Sequence, residues 1–337
     1  MKPVTTQAAR LVGAGRVEIE DATVADPGDG EVLIAVRAVG LCGSDAHWYS
    51  EGGIGDTGLD GPLILGNEFC GIIESGLRAG ERVAVDPSIP CLSCEQCLAN
   101  RHNLCVAMRF AGHGSTHGAL RGHLVWPERC LVPIPDDMPD VVGAMLEPLG
   151  VAIHAIDLAA VEPTTKVAIV GCGPIGLLLI LALQATGPTD VVAVEPLDHR
   201  REAARRLGAM VERNVGIRDS DVVFETSGTN EGLHTALSQA RPGGRIVVVG
   251  IPTDDTTTIT ASLARRKELT FVWCRRMDSG DLARAAVLAR DRATEIGALV
   301  SHRFALSDTA AAFEVLAGRL GLKVMVTPGV GAADRDG

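Results

Sequence analysis

The chain lacks the features that would bring it to a membrane or to nucleic acid. Its formal charge is -11, so no cationic excess is available to attract a phosphate backbone or an anionic lipid surface. Its first residues, Met-Lys-Pro-Val-Thr-Thr-Gln, contain no apolar targeting core. The longest apolar stretch, Val167 to Leu183, is interrupted by glycines and a proline, which is typical of a strand followed by a helix. The sequence therefore predicts a cytoplasmic protein with neither nucleic-acid nor membrane partners.

The chain also lacks the cysteine density of a secreted disulfide scaffold, since it has nine cysteines in 337 residues. Four of them, Cys91, Cys94, Cys97 and Cys105, have the spacing C-x2-C-x2-C-x7-C. Three thiolates at short spacing and a fourth after a loop suit tetrahedral Zn²⁺, whereas an iron–sulfur cluster normally has another spacing. We predict a closed structural zinc site in a lobe of about residues 88–108.

The length predicts about two domains, and the pattern changes along the chain. Short strands with Gly and Pro turns, up to about residue 135, predict a small irregular barrel. From Val167 onward, fully apolar strands alternate with helices, which predicts a doubly wound parallel sheet and an α/β fold. The predicted strands are 166–170, 191–194, 221–225, 245–250 and 269–274, with helices from Pro174 and over 200–207 and 233–240.

The last elements of the chain are expected to return to the first domain. They are a helix after Met277, a strand at 299–304, a helix at 307–317 and a strand at 322–326. The first domain would then be discontinuous, with residues 1–153 and 278–337 around a second domain of residues 154–277.

A dinucleotide fingerprint opens the second domain. The strand Val167–Val170 is followed by Gly171-Cys172-Gly173-Pro174-Ile175-Gly176, and a helix begins there. The pattern G-x-G-x-x-G gains specificity from this strand-to-helix context. Gly171 would make the tight turn, Gly173 would let the backbone approach a pyrophosphate, and Gly176 would allow close helix packing.

An acidic residue at the end of the next strand favours NAD over NADP. Glu195 follows Gly176 by 19 residues, where a carboxylate can accept hydrogen bonds from both ribose hydroxyls and repel a 2'-phosphate. Arg200 and Arg201 weaken that preference, because a cation there could bind a phosphate. The structural alternative is a solvated acid at a strand end, with arginines on a helix face.

Several motifs together resemble the zinc-dependent medium-chain dehydrogenase family, in its sorbitol (polyol) dehydrogenase branch, over nearly the whole chain. The resemblance implies a GroES-like catalytic β-barrel domain, a Rossmann domain, a cofactor cleft between them, and homodimers or homotetramers built through the Rossmann sheet edge. The motifs are Gly40-Leu41-Cys42-Gly43-Ser44-Asp45-Ala46-His47, Gly52-Gly53-Ile54-Gly55-Asp56, Leu65-Gly66-Asn67-Glu68-Phe69, the four cysteines, Leu146-Glu147-Pro148-Leu149, Gly171–Gly176, Arg241-Pro242-Gly243-Gly244-Arg245, Arg276, His302-Arg303-Phe304 and Gly321-Leu322-Lys323-Val324.

The resemblance also implies a catalytic zinc held by a cysteine, a histidine and a glutamate. The cysteine corresponds to Cys42 and the glutamate to Glu147, but the histidine position is Asn67. An amide oxygen is a poorer zinc donor than imidazole nitrogen, so we expect lower affinity. Three outcomes stay open: zinc held by Cys42, Glu147 and Glu68 with Asn67 or water, a thiolate supplied by Cys70, or hydride transfer without a metal.

Further site residues follow from the same resemblance. Ser44 matches the family's proton-relay hydroxyl, and His47 could extend that relay, because imidazole exchanges protons near neutral pH. Ser44 could instead be a helix N-cap. Arg276 falls where the branch places an arginine that binds substrate hydroxyls, and Glu68 is the acid beside the metal.

The sequence therefore predicts an NAD-dependent dehydrogenase acting on a secondary hydroxyl of a polyol, sugar, amino sugar or cyclitol. An amino substrate would be cationic, and Glu51, Asp56 or Asp60 on a nearby loop could meet its charge. The alternatives are a zinc-independent NAD(P)H reductase of the same superfold and a catalytically silent NAD-binding sensor.

Overall fold

The computed structural model describes residues 4–187, 190–213, 219–252 and 256–329. The chain divides into two compact units, of which the first is discontinuous: Met1–Glu147 with Ala285–Gly337, and Pro148–Arg284. The domain boundaries after residues 153 and 277 stay a prediction from the sequence.

The first part of the chain forms short strands and few helices, as its turn-rich sequence predicts. The strands are β1 (Val4–Gly13), β2 (Arg16–Val24), β3 (Glu31–Leu41), β4 (Gly53–Ile54), β5 (Thr57–Gly58), β6 (Leu63–Ile64), β7 (Glu68–Ile73), β8 (Arg82–Val85), β9 (Ser88–Ile89), β10 (Arg109–Phe110), β11 (His123–Pro127) and β12 (Leu131–Pro133). The helices are α1 (Gly43–Glu51), α2 (Glu95–Leu98), α3 (Asp140–Ala144) and α4 (Leu146–Ala159).

The rest of the chain alternates strands and helices. The strands are β13 (Val167–Val170), β14 (Val191–Val194), β15 (Met210–Glu212), β16 (Ser220–Glu225), β17 (Ala240–Val248), β18 (Thr270–Trp273), β19 (Val300–Ala305) and β20 (Lys323–Thr327). The helices are α5 (Pro174–Thr186), α6 (Asp198–Arg206), α7 (Asn230–Gln239), α8 (Ala261–Lys267), α9 (Asp281–Gly297) and α10 (Thr309–Ala317).

Strand β3 lies at the centre of the first unit. The main sheet has the order β12-β8-β7-β3-β20-β19, and β11 also pairs with β3. The pairing of β20 with β3 is antiparallel, with Val324 opposite Leu41, so the C-terminal strands do return to the first unit. Apolar side chains from these strands form one buried core, in which Trp48 of α1 is 1% exposed.

The second unit is built on a parallel six-stranded sheet in the order β15-β14-β13-β16-β17-β18. Its central strand β13 is wholly buried, and α5 buries a run of leucine and isoleucine against the unit's interior. This is the doubly wound arrangement that the apolar strands predict.

Two elements of the second unit were not predicted from the sequence. Strand β15 has three residues, one of them Glu212, so it has no apolar run to mark it. Helix α8 has no buried residue, so it has no apolar stripe of helical period. Within the described ranges, every helix is too short or too polar to cross a lipid bilayer.

Candidate functional site

Cys42 stands at the junction of β3 and α1, because β3 ends at Leu41 and α1 begins at Gly43. Polar atoms surround its sulfur. Ser44 Oγ lies 2.8 Å from Cys42 Sγ, Asp45 Oδ2 lies 3.1 Å from it, and Asn67 Oδ1 lies 3.3 Å from it. The structure thus brings together three of the residues singled out from the sequence and adds Asp45.

Asp45 fixes the backbone around this sulfur. Its carboxylate accepts hydrogen bonds from Cys42 N at 3.0 Å and from Gly66 N at 3.1 Å, and the side chain is 1% exposed. Cys42 occupies the N-cap position of α1, so the alternative reading of Ser44 as the N-cap is wrong. The signal for Asp45 was available, because an acid three residues after a helix cap typically bonds back to the cap amide.

Glu68 forms a buried ion pair with Lys323. Glu68 begins β7 opposite Gly40 of β3, and Lys323 begins β20 on the other side of β3. Lys323 is 1% exposed and its Nζ contacts Glu68 Oε2. A Cβ on Gly40 would overlap both side chains, so glycine leaves the room that the pair occupies. Burial raises the pKa of the Glu68 carboxyl, and the charge of Lys323 offsets part of that rise.

The charges around Cys42 disfavour a free thiolate. Burial raises the pKa of the Cys42 thiol well above its usual value, and the carboxylates of Asp45 and Glu68 raise it further. Lys323 acts in the opposite direction. A coordinated divalent ion would reverse this balance, because metal ligation deprotonates a thiol.

The four-cysteine lobe has the geometry of a tetrahedral metal site. The sulfurs of Cys91, Cys94, Cys97 and Cys105 all lie within 4.8 Å of one another, and Cys91 Sγ is 3.9 Å from Cys97 Sγ. Four thiolates about 2.3 Å from one zinc ion would be about 3.8 Å apart, so the residues fit the ion. Hydrogen bonds from Ser93 and from Cys94 N lower the pKa of Cys91 to about 6, which favours the thiolate that a metal requires.

The donors at Cys42 form a different arrangement. Within the described part of the chain, Cys42, Glu68 and Glu147 do not form a second group with this closeness. Glu147 is buried in the first turn of α4. Cys70, the other thiol considered, donates from Sγ to Asp140 O at 3.0 Å. The hydrogen-bond contacts of the Cys42 sulfur are with oxygens of Ser44, Asp45 and Asn67, a set that could accept an ion beside Cys42.

His47 lies one helical turn after Ser44 on α1. Its Nδ1 is 2.9 Å from Glu51 Oε1, and the ring is mostly buried while Glu51 is exposed. This position links the neighbourhood of Cys42 to the exposed end of α1. A relay from Ser44 through His47 remains a prediction.

The glycine motif of the second unit forms a tight strand-to-helix turn. Gly171 has φ 96°, which favours glycine, and a Cβ on Gly176 would overlap the carbonyl oxygen of Gly171. Gly173 is the N-cap of α5 and Pro174 begins the helix, with Ile175 after it. The helix N-terminus is therefore open to an anionic group such as a pyrophosphate.

Glu195 is joined to this motif by hydrogen bonds. Its Oε2 accepts from Cys172 N at 2.7 Å and its Oε1 accepts from Leu197 N at 2.8 Å. Arg201 is buried and donates to the carbonyl oxygens of Glu195 and Pro196, so its role is to hold the backbone. Arg200 instead reaches the motif, because its Nη1 is 3.6 Å from where a Cβ on Gly173 would lie.

Arg276 follows β18 with a left-handed backbone, at φ 57°. A residue other than glycine adopts this conformation at an energetic cost, and such residues are frequent in binding and active sites. The role of Arg276 in binding substrate hydroxyls stays a prediction.

Comparison with known proteins identifies the two halves of the chain. Residues 28–136 match the alcohol dehydrogenase GroES-like domain, and residues 174–290 match the zinc-binding dehydrogenase domain. A probable D-xylulose reductase A of Neosartorya fischeri is 34% identical, over 94% of this chain and 95% of that protein. An L-idonate 5-dehydrogenase of Vitis vinifera is also 34% identical, over 94% of this chain and 93% of that protein.

Solved structures agree with these matches. The crystal structure of L-idonate 5-dehydrogenase from Escherichia coli K-12 superposes with a TM-score of 0.90, at 27% identity, over 97% of this chain and 99% of that one. The fold and the two matched domains define a medium-chain dehydrogenase with a GroES-like domain and a Rossmann-type domain. The chain belongs to the zinc-dependent medium-chain dehydrogenase family, in its polyol dehydrogenase branch. Zinc and NAD(P) are the cofactors of this family, and the chain is an oxidoreductase.

We expect Gly176→Ala to lower the free energy of unfolding by about 1–3 kcal/mol, because the new Cβ overlaps the Gly171 carbonyl. The matched control is Gly173→Ala, whose Cβ meets no atom closer than 3.6 Å, and its cost should stay within about 1 kcal/mol. Urea unfolding of the two variants and the parent measures both values. Equal stability of the two variants would contradict the packing role assigned to Gly176.

We expect Lys323→Met to destabilise the protein by about 3–5 kcal/mol, because it leaves the Glu68 carboxylate buried without its cation. The double variant Glu68→Gln/Lys323→Met should recover part of this loss, since no buried charge is then unpaired. Lys166→Met, at an exposed lysine, serves as the control. Denaturant unfolding of the parent, these three variants and the single variant Glu68→Gln completes the cycle, and an additive double variant would show that the pair is not coupled.

Proposed function

We propose that the protein transfers a hydride between NAD and a secondary hydroxyl group of a polyol, sugar, amino sugar or cyclitol. The observation that carries the proposal is the donor cluster at Cys42, which lies in a chain matched over 94% of its length by polyol and sugar-acid dehydrogenases. The names of those relatives support a polyhydroxylated substrate. In the oxidative direction, an alcohol and NAD⁺ give a ketone, NADH and a proton.

The residues of this chain would share the work as follows. When bound, zinc supplies a Lewis acid that stabilises negative charge on the substrate oxygen, and NAD accepts the hydride. Ser44 would accept the hydroxyl proton, and His47 would carry it along α1 towards solvent. Arg276 would donate hydrogen bonds to other substrate hydroxyls.

The preference for NAD over NADP rests on Glu195. Its carboxylate lies next to the glycine motif and is held there by Cys172 N and Leu197 N. A 2'-phosphate near this carboxylate would bring two negative charges together in a buried setting. Arg200 lies close enough to Gly173 to attract phosphate, so the preference is the balance of the two.

Two zinc ions per subunit are proposed, with different roles. The four-cysteine lobe would hold a structural ion, which has no open position and performs no chemistry. The second ion would lie beside Cys42, with Asn67, Glu68 and Glu147 as the candidate ligands inferred from the family pattern. An amide oxygen in place of imidazole would lower the affinity of this second ion.

Self-association through the second unit is part of the proposal. Strand β18 is the last strand in the order of the parallel sheet, and its Trp273 is 55% exposed. An edge strand offers unpaired backbone groups, and a large exposed aromatic adds apolar surface. We therefore propose a homodimer or homotetramer that uses this edge.

A substrate panel with metal analysis on the same preparation tests the function. We expect NAD reduction with polyols, sugars, amino sugars or cyclitols, two zinc ions per subunit, and a sedimenting mass above that of one chain. If aminated alcohols are preferred, the variants Glu51→Gln, Asp56→Asn and Asp60→Asn should raise KM for those alcohols alone. One ion with turnover would instead support metal-free chemistry, and one ion without turnover on any alcohol would support a cofactor-binding sensor.

We expect Glu195→Gln to reduce the NAD-to-NADP ratio of kcat/KM by about tenfold, which corresponds to about 1.4 kcal/mol. The reason is that the neutral amide no longer repels a 2'-phosphate, while one acceptor oxygen is kept. Glu202→Gln on α6 is the control, because the Glu202 side chain is 60% exposed and pairs with Arg205 on the same helix. An unchanged ratio in the Glu195 variant would contradict the assignment.

A further inference from the structure

The Asp45 carboxylate accepts hydrogen bonds from two backbone amides, one at Cys42 and one at Gly66. One carboxylate oxygen, Oδ2, is 3.0 Å from Cys42 N and 3.1 Å from Cys42 Sγ. The other oxygen, Oδ1, accepts from Gly66 N, immediately before Asn67. Backbone amides from both flanks therefore hold the carboxylate beside Cys42 and Asn67. Its 1% exposure excludes rotation into solvent.

We propose that Asp45 is a direct ligand of the metal ion at Cys42, where it supplies the strong donor that Asn67 does not. The juxtaposed donors are Cys42 Sγ, Asp45 Oδ2 and Asn67 Oδ1. Zinc about 2.3 Å from sulfur and about 2.1 Å from oxygen, with tetrahedral angles, places sulfur and oxygen about 3.6 Å apart. The observed separations of 3.1 and 3.3 Å are a few tenths of an ångström shorter. Small side-chain rotations would therefore admit the ion.

The charge of the resulting shell explains why a carboxylate fits here. Replacing a neutral imidazole by a neutral amide leaves the charge of the shell unchanged but weakens one bond. The Asp45 carboxylate would add a negative charge and a short oxygen–metal bond to the same shell. Buried carboxylates are normally hydrogen-bonded, paired or bound to a metal. Asp45 accepts from two backbone amides, and its Oδ2 also lies against the Cys42 thiol, where an ion could replace the thiol proton.

Oxygen donors also change which ion the site prefers. A shell of one sulfur and several oxygens is harder than one with sulfur and nitrogen, so affinity for Zn²⁺ relative to oxygen-seeking cations should fall. This inference rests on the proposed function only in placing an ion at Cys42. It differs from the proposed function in naming Asp45 as a ligand of that ion.

Asp45 has a second role that the experiment must separate from ligation. It accepts from Cys42 N at the start of α1, so any change at Asp45 also weakens a helix cap. A cap contributes equally whichever residue stands at position 67. The contribution of a metal ligand does depend on position 67, because an imidazole there would supply much of the binding energy that the carboxylate otherwise provides.

The experiment is a double-mutant cycle of Asp45→Asn and Asn67→His, read as Zn²⁺ affinity of the second ion by chelator competition. We expect Asp45→Asn to weaken that affinity at least a hundredfold in the parent, and at least tenfold less in the Asn67→His background. The visible spectrum of the Co²⁺-loaded protein should change with Asp45→Asn in the parent and much less beside histidine. Urea unfolding of the metal-free proteins measures the cap contribution separately.

Asp281→Asn is the matched control, because Asp281 is a buried acid that accepts from Asp278 N at the start of α9. It should lower stability and leave the affinity of the second ion unchanged. Equal losses of affinity from Asp45→Asn in both backgrounds would overturn the inference and leave the proposed function standing. NAD-linked turnover with no second ion in the parent would also overturn the inference, whereas a bound second ion without turnover would overturn the proposed function alone.

Discussion

The hydrogen-bonded ladders of β3 are the constraint on which the first unit depends. This strand pairs with β7, β11 and β20, so residues far apart in sequence meet along it. Cys42 follows its last residue directly, Glu68 lies opposite Gly40, and Lys323 begins the neighbouring strand. A slip of one residue in these ladders would turn each of these side chains to the opposite face of the sheet. The position of the polar groups around Cys42 is therefore a consequence of strand register.

The same register explains why a charged pair is tolerated in the interior. Gly40 leaves the space that the Glu68 and Lys323 side chains fill, and their mutual attraction offsets the loss of hydration. The pair also sets the charge felt by the Cys42 sulfur, because one partner raises and the other lowers the pKa of the thiol. The donors and their supporting charges thus form one electrostatic unit.

Sequence alone predicted the features that depend on local spacing. The four cysteines and the glycine motif each lie within a short segment, so their geometry follows from the order of residues. Strand β14 was predicted at its observed bounds because it is a short apolar run between turns. The contact between Glu68 and Lys323 could not be derived in this way, since 255 residues separate them and only the pairing of β20 brings them together.

Asp45 illustrates a different limit. The sequence marked a possible helix start at Ser44 and assigned no role to Asp45, because the distance from its carboxylate to the Cys42 sulfur depends on how tightly the first turn of α1 closes. The Asn67 replacement was visible in the sequence, yet which oxygen lies nearest to the sulfur was not. Polar contacts of this kind depend on side-chain rotamers, which residue patterns do not determine.

The hydrogen bonds that hold Glu195 affect the free energy with which a dinucleotide would bind. A free glutamate side chain samples many rotamers, and fixing it costs about 1–2 kcal/mol of conformational entropy. Here the amides of Cys172 and Leu197 hold both carboxylate oxygens in place within the folded chain. That ordering cost is met during folding, so more of the interaction energy with the ribose of the proposed NAD cofactor would remain as binding affinity.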